Sequence, residues 1–184
     1  MENFGFLRVA AGVPTVRVAD VAYNVGEILK FAEKAENEEV SLIAFPELSV
    51  TGYTYGDLFG QEILIRKAEE VIKEIKAFSS GRKVTIVAGV PVRVRGRLYN
   101  CAAVIQNGSL RGLVPKIHLP SYNEFYESRW FASGADFISR DKRSEGLLRD
   151  DGKNCHFESG AESILYAGHK VTISPNILFS LAHS

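Results

Sequence analysis

Val40-Ser41-Leu42-Ile43-Ala44-Phe45-Pro46-Glu47-Leu48-Ser49-Val50-Thr51-Gly52-Tyr53 begins as a nearly continuous apolar run and ends as a loop. Apolar residues from Val40 to Phe45 mark a strand covered on both faces, and Pro46 and Gly52 make the adjoining segment irregular. Glu47 therefore leaves the C-terminal end of a buried strand. A second stretch repeats the arrangement with the opposite charge. Val114-Pro115-Lys116-Ile117-His118-Leu119-Pro120-Ser121-Tyr122-Asn123-Glu124-Phe125-Tyr126-Glu127 sets Lys116 just after strand-like residues. A carboxylate and an ammonium at two strand ends suit chemistry that moves a proton and steadies a developing negative charge.

Outward from these two loops the pattern alternates. Phe6 to Pro14 reads as a first strand. Asp20 is a candidate N-cap. Val21, Val25, Ile28, Leu29 and Ala32 recur at helical spacing, with Glu27, Lys30, Glu33 and Lys34 on the other face. Asn37, which tolerates the left-handed conformation, is expected to end that helix. Leu64, Ala68, Val71, Ile72 and Ile75 define a second amphipathic helix, succeeded by a strand from Val84 to Val90. Val92 to Val94 and Leu98 to Ile105 flank a turn at Arg95-Gly96-Arg97. Asn107-Gly108 is a strong hairpin signal, with Leu110 to Val114 returning. Ser163 to Tyr166 and Lys170 to Ile173 form a late hairpin around Gly168, and Ile177-Leu178-Phe179 starts another element. Strand, helix, strand, helix, then hairpins: the expectation is an α/β layer with a mixed sheet. Residues 118–160 carry aromatics, glycine and charge without a period, as a binding or catalytic face does.

The bulk properties narrow the function classes. Lys plus Arg equals Asp plus Glu at 22 each, so net charge points neither to nucleic acid nor to an acidic membrane surface. No apolar run reaches the length of a membrane span, and the Met1-Glu2-Asn3-Phe4 start lacks the layout of a signal peptide. Two cysteines make no disulfide framework, which suits a reducing cytoplasmic setting. Histidines 118, 156, 169 and 183 are scattered, and Cys155-His156 are chain neighbours that rarely serve one ion, so no metal site is expected.

Taken singly, the two charges stay ambiguous. Glu47 is either a desolvated base with a raised pKa or a loop carboxylate that caps an amide or pairs with an arginine. Lys116 either steadies an oxyanion or snorkels to solvent. The surrounding residues decide more. Phe45-Pro46-Glu47, Pro115-Lys116, Asn24 and Thr51-Gly52-Tyr53 resemble the carbon–nitrogen hydrolase (nitrilase) superfamily. The resemblance runs from about Phe6 to Phe137 and more loosely through Ile173 to Phe179. Leu119 to Glu127, with Arg129-Trp130-Phe131, is most similar to the amino-terminal glutaminase domain of the glutamine-dependent NAD synthetases.

That resemblance has specific implications. The fold would be a nitrilase-like αββα sandwich layer with a mixed β-sheet, incomplete at the C-terminus, and residues 1–184 would be one partial domain. Glu47 would be the general base, Lys116 the oxyanion-steadying amine, and Glu127 the second glutamate, with Glu124 as the alternative. Tyr53, Tyr122 and Phe125 would line a glutamine pocket. A cysteine thiolate would attack the glutamine side-chain amide, release ammonia and leave a thioester for water to hydrolyse. The ammonia would pass to a separate ATP- and magnesium-dependent synthetase domain that converts deamido-NAD to NAD. The glutaminase domain itself would need no cofactor.

The chain departs from that pattern at the nucleophile. Its expected position falls past Ser184. Cys101 lies mid-strand, where a small apolar side chain packs. Cys155 lies in the acidic Asp150-Asp151-Gly152-Lys153-Asn154-Cys155-His156 loop, where carboxylates disfavour a thiolate. Gly81, Gly89, Gly96 and Gly108 are isolated and build no phosphate loop. The expectation is two parts of a three-part site without turnover. Two other readings stand beside it: an amidase or carbamoylase of the same superfamily, and a non-catalytic module that assembles into a homo-oligomer through open sheet surface. The isolated chain is expected to be either oligomeric or locally disordered between about Phe137 and Ser163.

Overall fold

The computed structural model describes residues 6–141 and 160–180. Seven strands form one mixed sheet: β1 (Val9–Ala11), β2 (Leu42–Ala44), β3 (Thr85–Val94), β4 (Arg97–Gln106), β5 (Ser109–Pro115), β6 (Glu162–Tyr166) and β7 (His169–Ile173). Their spatial order is β1-β2-β3-β4-β5-β7-β6. β1, β2 and β3 run parallel, β4 is antiparallel to both neighbours, and β7 lies parallel to β5. The C-terminal ends of β2, β5 and β7 therefore share one edge of the sheet. That edge receives the loops carrying Glu47 and Lys116.

Helix α1 (Val21–Asn37) begins where Asp20 accepts a hydrogen bond from the Tyr23 amide at 3.2 Å. The residue in left-handed conformation past its end is Glu39 (φ 55°), not Asn37, which remains helical. Helix α2 (Glu62–Ser79) buries Ile65, Ala68, Val71, Ile72 and Ile75. Leu64, expected on that face, is only partly buried and packs with a second cluster. The buried faces of α1 and α2 and the central strands make one main core that includes Val25, Ile28, Ile72, Ile75, Ile86, Val90, Tyr99 and Ile105. Burying side chains of this size contributes roughly 1.5–3 kcal/mol each.

β3 runs unbroken through Pro91, so the expected division between Val90 and Val92 does not exist. The hydrogen-bond parity explains why. Phe45 and Val50 amides donate to the Val87 and Gly89 carbonyls, so the β3 backbone at odd numbers faces β2. Pro91 faces the same way, beyond the end of β2, where no ladder partner awaits its missing N–H. Asn107 (φ 43°) and Gly108 (φ 73°) make the tight turn between β4 and β5, the geometry that two-residue hairpins require. The β6–β7 hairpin forms around Ala167-Gly168, and the Ala167 amide donates to Glu69 of α2 at 2.7 Å.

The loop after β2 contains a 3₁₀ helix, Tyr53–Gly60, broken by a kink at Gly56, which periodicity does not announce. The stretch from 118 contains two short helices, α3 (Glu127–Trp130) and α4 (Ala135–Asp141). Leu48, Tyr55, Phe59, Ile65, Leu98 and Phe131 form the second, smaller cluster beneath these segments. Ile177 makes an isolated bridge rather than a strand. The Phe179 ring lies over Gly112 of β5, so this part of the chain has a neighbour that the sequence does not suggest. Cys155, His156 and most of the span expected to be disordered lie outside the described residues.

Candidate active site

Glu47 leaves β2 in a tight loop that lies directly on β3. A methyl group on Gly89 would sit 2.5 Å from the Pro46 carbonyl oxygen and 2.7 Å from the Glu47 carbonyl carbon, and against the Leu48 amide nitrogen. Only glycine permits that approach. The Gly89 amide also donates to Ser49 Oγ at 3.2 Å. Leu48, fully buried, takes a left-handed φ of 53°, a conformation costing a side-chain-bearing residue about 1 kcal/mol. Two bonds to its carbonyl, from Thr51 N at 3.0 Å and Gly52 N at 2.7 Å, hold the turn. Asn24 ties it to α1: its amide nitrogen donates to the Val50 carbonyl at 3.1 Å and the Arg17 carbonyl at 2.8 Å. Asn24 is wholly buried, and the resemblance marks it for a position that turns out to brace the Glu47 loop.

Lys116 is the first residue beyond β5. Its backbone amide donates to the Asn100 carbonyl at 2.8 Å, and its carbonyl accepts from Gly134 N at 2.8 Å. The side chain reaches between two carboxylates: Lys116 Nζ lies 2.8 Å from Glu47 Oε2 and 3.0 Å from Glu127 Oε1. Partial burial pulls the Lys116 pKa down. The hydrogen bonds and charges of Glu47 and Glu127 outweigh it and hold the ammonium above the ordinary lysine value. The amine is therefore charged at neutral pH.

The expected burial is divided differently between the two glutamates. The Glu47 side chain is 50% exposed, so desolvation of a strand-end carboxylate is not what shapes it. Glu127, at the start of α3, is the buried one, with 3% of its side chain exposed. Its Oε1 also accepts from the Tyr53 hydroxyl at 2.6 Å. Burial first, then that bond to Glu127, raises the Tyr53 phenol well above its usual range, so it stays a donor. Glu127 Oε2 is buried, and among the described residues no hydrogen bond reaches it. Glu124 is exposed and stands apart from this network.

Short helix α3 is fixed from its solvent side. Arg129 Nε and Trp130 Nε1 both reach Asp57 Oδ1 of the 3₁₀ helix, at 2.9 and 3.0 Å. The Trp130 N–H and the Arg129 guanidinium hold the Asp57 carboxyl below its usual value. The Glu127 amide donates to the Pro120 carbonyl at 3.1 Å. Phe125 meets Tyr53 edge-on at 6.5 Å and Tyr122 at 5.7 Å between ring centroids, so the three aromatics gather at the site. Tyr122 is the most open, at 64% exposure. Cys101 is fully buried in the helix-backed core, and burial pushes its thiol far up, so no thiolate forms there.

Two positions that contact the Glu47 loop or its side chain escape a reading of the sequence. Gly89 looks like one of several isolated glycines. Asn100 is buried, and its Nδ2 donates to Glu47 Oε2 at 3.1 Å. The available signal is an amide set in the otherwise apolar or aromatic run Leu98 to Ile105, because a buried amide must find partners.

The fold is that of a carbon–nitrogen hydrolase. The carbon–nitrogen hydrolase family matches residues 8–149, and the chain belongs to that family. Among its relatives, the glutamine-dependent NAD(+) synthetase of Mycobacterium leprae is 36% identical over 132 residues, covering 72% of this chain and 19% of that protein. The crystal structure of a glutamine-dependent NAD(+) synthetase from Cytophaga hutchinsonii superposes with a TM-score of 0.72 at 27% identity, covering 91% of this chain and 25% of that one. An amidase from Nesterenkonia sp. shares the fold, with a TM-score of 0.62 at 16% identity over 91% of this chain and 54% of that one. The chain thus spans about a fifth of the length of the NAD synthetase relatives it matches.

Proposed function

We propose that this chain carries the base, the amine and the second carboxylate of a glutamine amide hydrolase, the glutaminase part of a glutamine-dependent NAD synthetase. The observation that carries the reading is the position of Lys116 Nζ between Glu47 Oε2 and Glu127 Oε1. Glu47 is open to solvent on one side, so it can exchange a proton with an approaching group. The Lys116 charge is placed to steady a tetrahedral oxyanion. Tyr53, Tyr122 and Phe125 supply an aromatic wall for a small amide. The kinship with glutamine-dependent NAD synthetases supports glutamine as that amide.

In this reading, attack by a thiolate on the glutamine side-chain carbonyl, with one proton delivered to the leaving nitrogen, yields ammonia and a thioester. Water then returns the thiol and releases glutamate. The ammonia goes to a synthetase domain that uses ATP and magnesium to amidate deamido-NAD. Of the chain's own thiols, Cys101 is sealed in the core and Cys155 has an acidic sequence context, so we expect no turnover by the chain alone. Calorimetric titration with glutamine tests the binding reading. Binding that weakens by about tenfold or more in Lys116→Met is expected, the scale of a lost charged hydrogen bond. Binding of simple amides or carbamoyl compounds with none of glutamine would move the assignment to another amidase. Steady ammonia release abolished by Cys155→Ala would show that the nucleophile lies within the chain.

A further inference from the structure

Glu47 Oε2 receives two donors, Lys116 Nζ at 2.8 Å and Asn100 Nδ2 at 3.1 Å. A carboxylate oxygen has room for about two such bonds, so Oε2 is filled. No hydrogen bond reaches Oε1 from any described residue. Asn100 is also tied to Lys116 through the backbone, since its carbonyl accepts the Lys116 amide at 2.8 Å. A single β4 residue thus sets the base with its side chain and the start of the amine's loop with its main chain. The amide orientation is fixed by chemistry, because a charged carboxylate accepts only and must face the NH₂ group. Asn100 is 3% exposed, so its amide has little freedom to turn away.

We propose that Asn100 is a positioning residue: with Lys116 it commits Glu47 Oε2 and leaves Oε1 as the oxygen that takes the proton. The inference rests on the reading of Glu47 as the base. A proton on an approaching acid group H–X passes to Oε1, leaving X⁻ and a neutral carboxyl whose second oxygen keeps its contact with Lys116. Protonating Oε2 instead would sacrifice a charge-assisted bond. Without Asn100 the carboxylate could pivot about its bond to Lys116, and either oxygen would face the reacting group.

The test tracks the Asn100 side-chain amide protons by NMR in the purified chain while Glu47 is titrated. The expected result is a pH-dependent shift that disappears in Glu47→Gln and persists in Glu124→Gln, with greater Glu47 side-chain mobility in Asn100→Ala. An Asn100 signal indifferent to pH, or one whose shift survives in Glu47→Gln, overturns the proposal. If Asn100→Ala does not fold, the comparison of the unmodified chain with Glu47→Gln still decides. Glutamine titration of the same sample separates the two ideas: a coupled Asn100 signal with no glutamine binding sinks the substrate, whereas binding without coupling sinks the positioning role.

Discussion

Lys116 matters because its charge stands between a buried carboxylate and an exposed one. Replacing it by methionine leaves Glu127 buried and short of its counter-ion. We expect Lys116→Met to lose about 2 kcal/mol of stability, read as a lower midpoint in chemical denaturation. Glu127→Gln, which removes the charge that needs a partner, should cost less. The pH dependence has a defined sign. Below the ordinary lysine value of 10.5 the ammonium is charged in both states and its ion pairs contribute fully. Above it the unfolded chain gives up its proton first, and the contribution fades as the raised folded value is passed. Tyr53 acts in the same direction above 10.0, since the unfolded phenol ionises while the folded one keeps its proton. Thermal melts from about pH 9 to about pH 12 should therefore fall more steeply for the unmodified chain than for Lys116→Met combined with Tyr53→Phe. Equal slopes would mean that these groups do not carry the alkaline loss.

At the level of elements, the site depends on the contact between the Glu47 loop and β3. Gly89→Ala would drive a methyl group into the loop backbone, where no flexible side chain can yield. Overpacking of this kind costs typically about 1–3 kcal/mol. The expected outcome is a lower melting temperature together with loss of the Glu47–Lys116 pair, seen as displaced Glu47 and Asn100 resonances. A variant with unchanged resonances would show that the loop can lift without disturbing the site. The sequence makes β3 legible as a strand through its valines and Ile86. Its continuation through Pro91 was not legible, because whether a proline interrupts a strand depends on what faces its nitrogen.

On the scale of the whole molecule, large apolar side chains remain open at both sides of the sheet order. Val9 on β1 is 62% exposed and Leu165 on β6 is 79% exposed, with Phe6, Val13 and Leu178 similarly open. No described helix is long and apolar enough to cross a membrane. Open apolar edges favour pairing with another sheet, and we expect the purified chain to self-associate as its concentration rises. Sedimentation or size-exclusion over a wide concentration range checks this, with Leu165→Lys expected to shift the distribution toward the monomer. A strictly monomeric chain at high concentration would remove the argument.

The succession of the first two strands and the two long helices and the hairpin at Asn107-Gly108 were written in the sequence, because periodicity and turn chemistry are local properties, whereas the pairing of a Phe-Pro-Glu loop with a Pro-Lys loop came from the family resemblance. Family membership was legible in the same residues. Which glutamate is buried was not: Glu47 follows an apolar but only half-buried strand and faces solvent, whereas Glu127, at the start of α3, is enclosed by Tyr53, Lys116 and the segment braced on Asp57. Nor could local pattern reveal that Asn100 and Gly89, from neighbouring strands, support one carboxylate. Burial and contact are set by segments distant along the chain, and only the folded sheet brings those segments to the same edge.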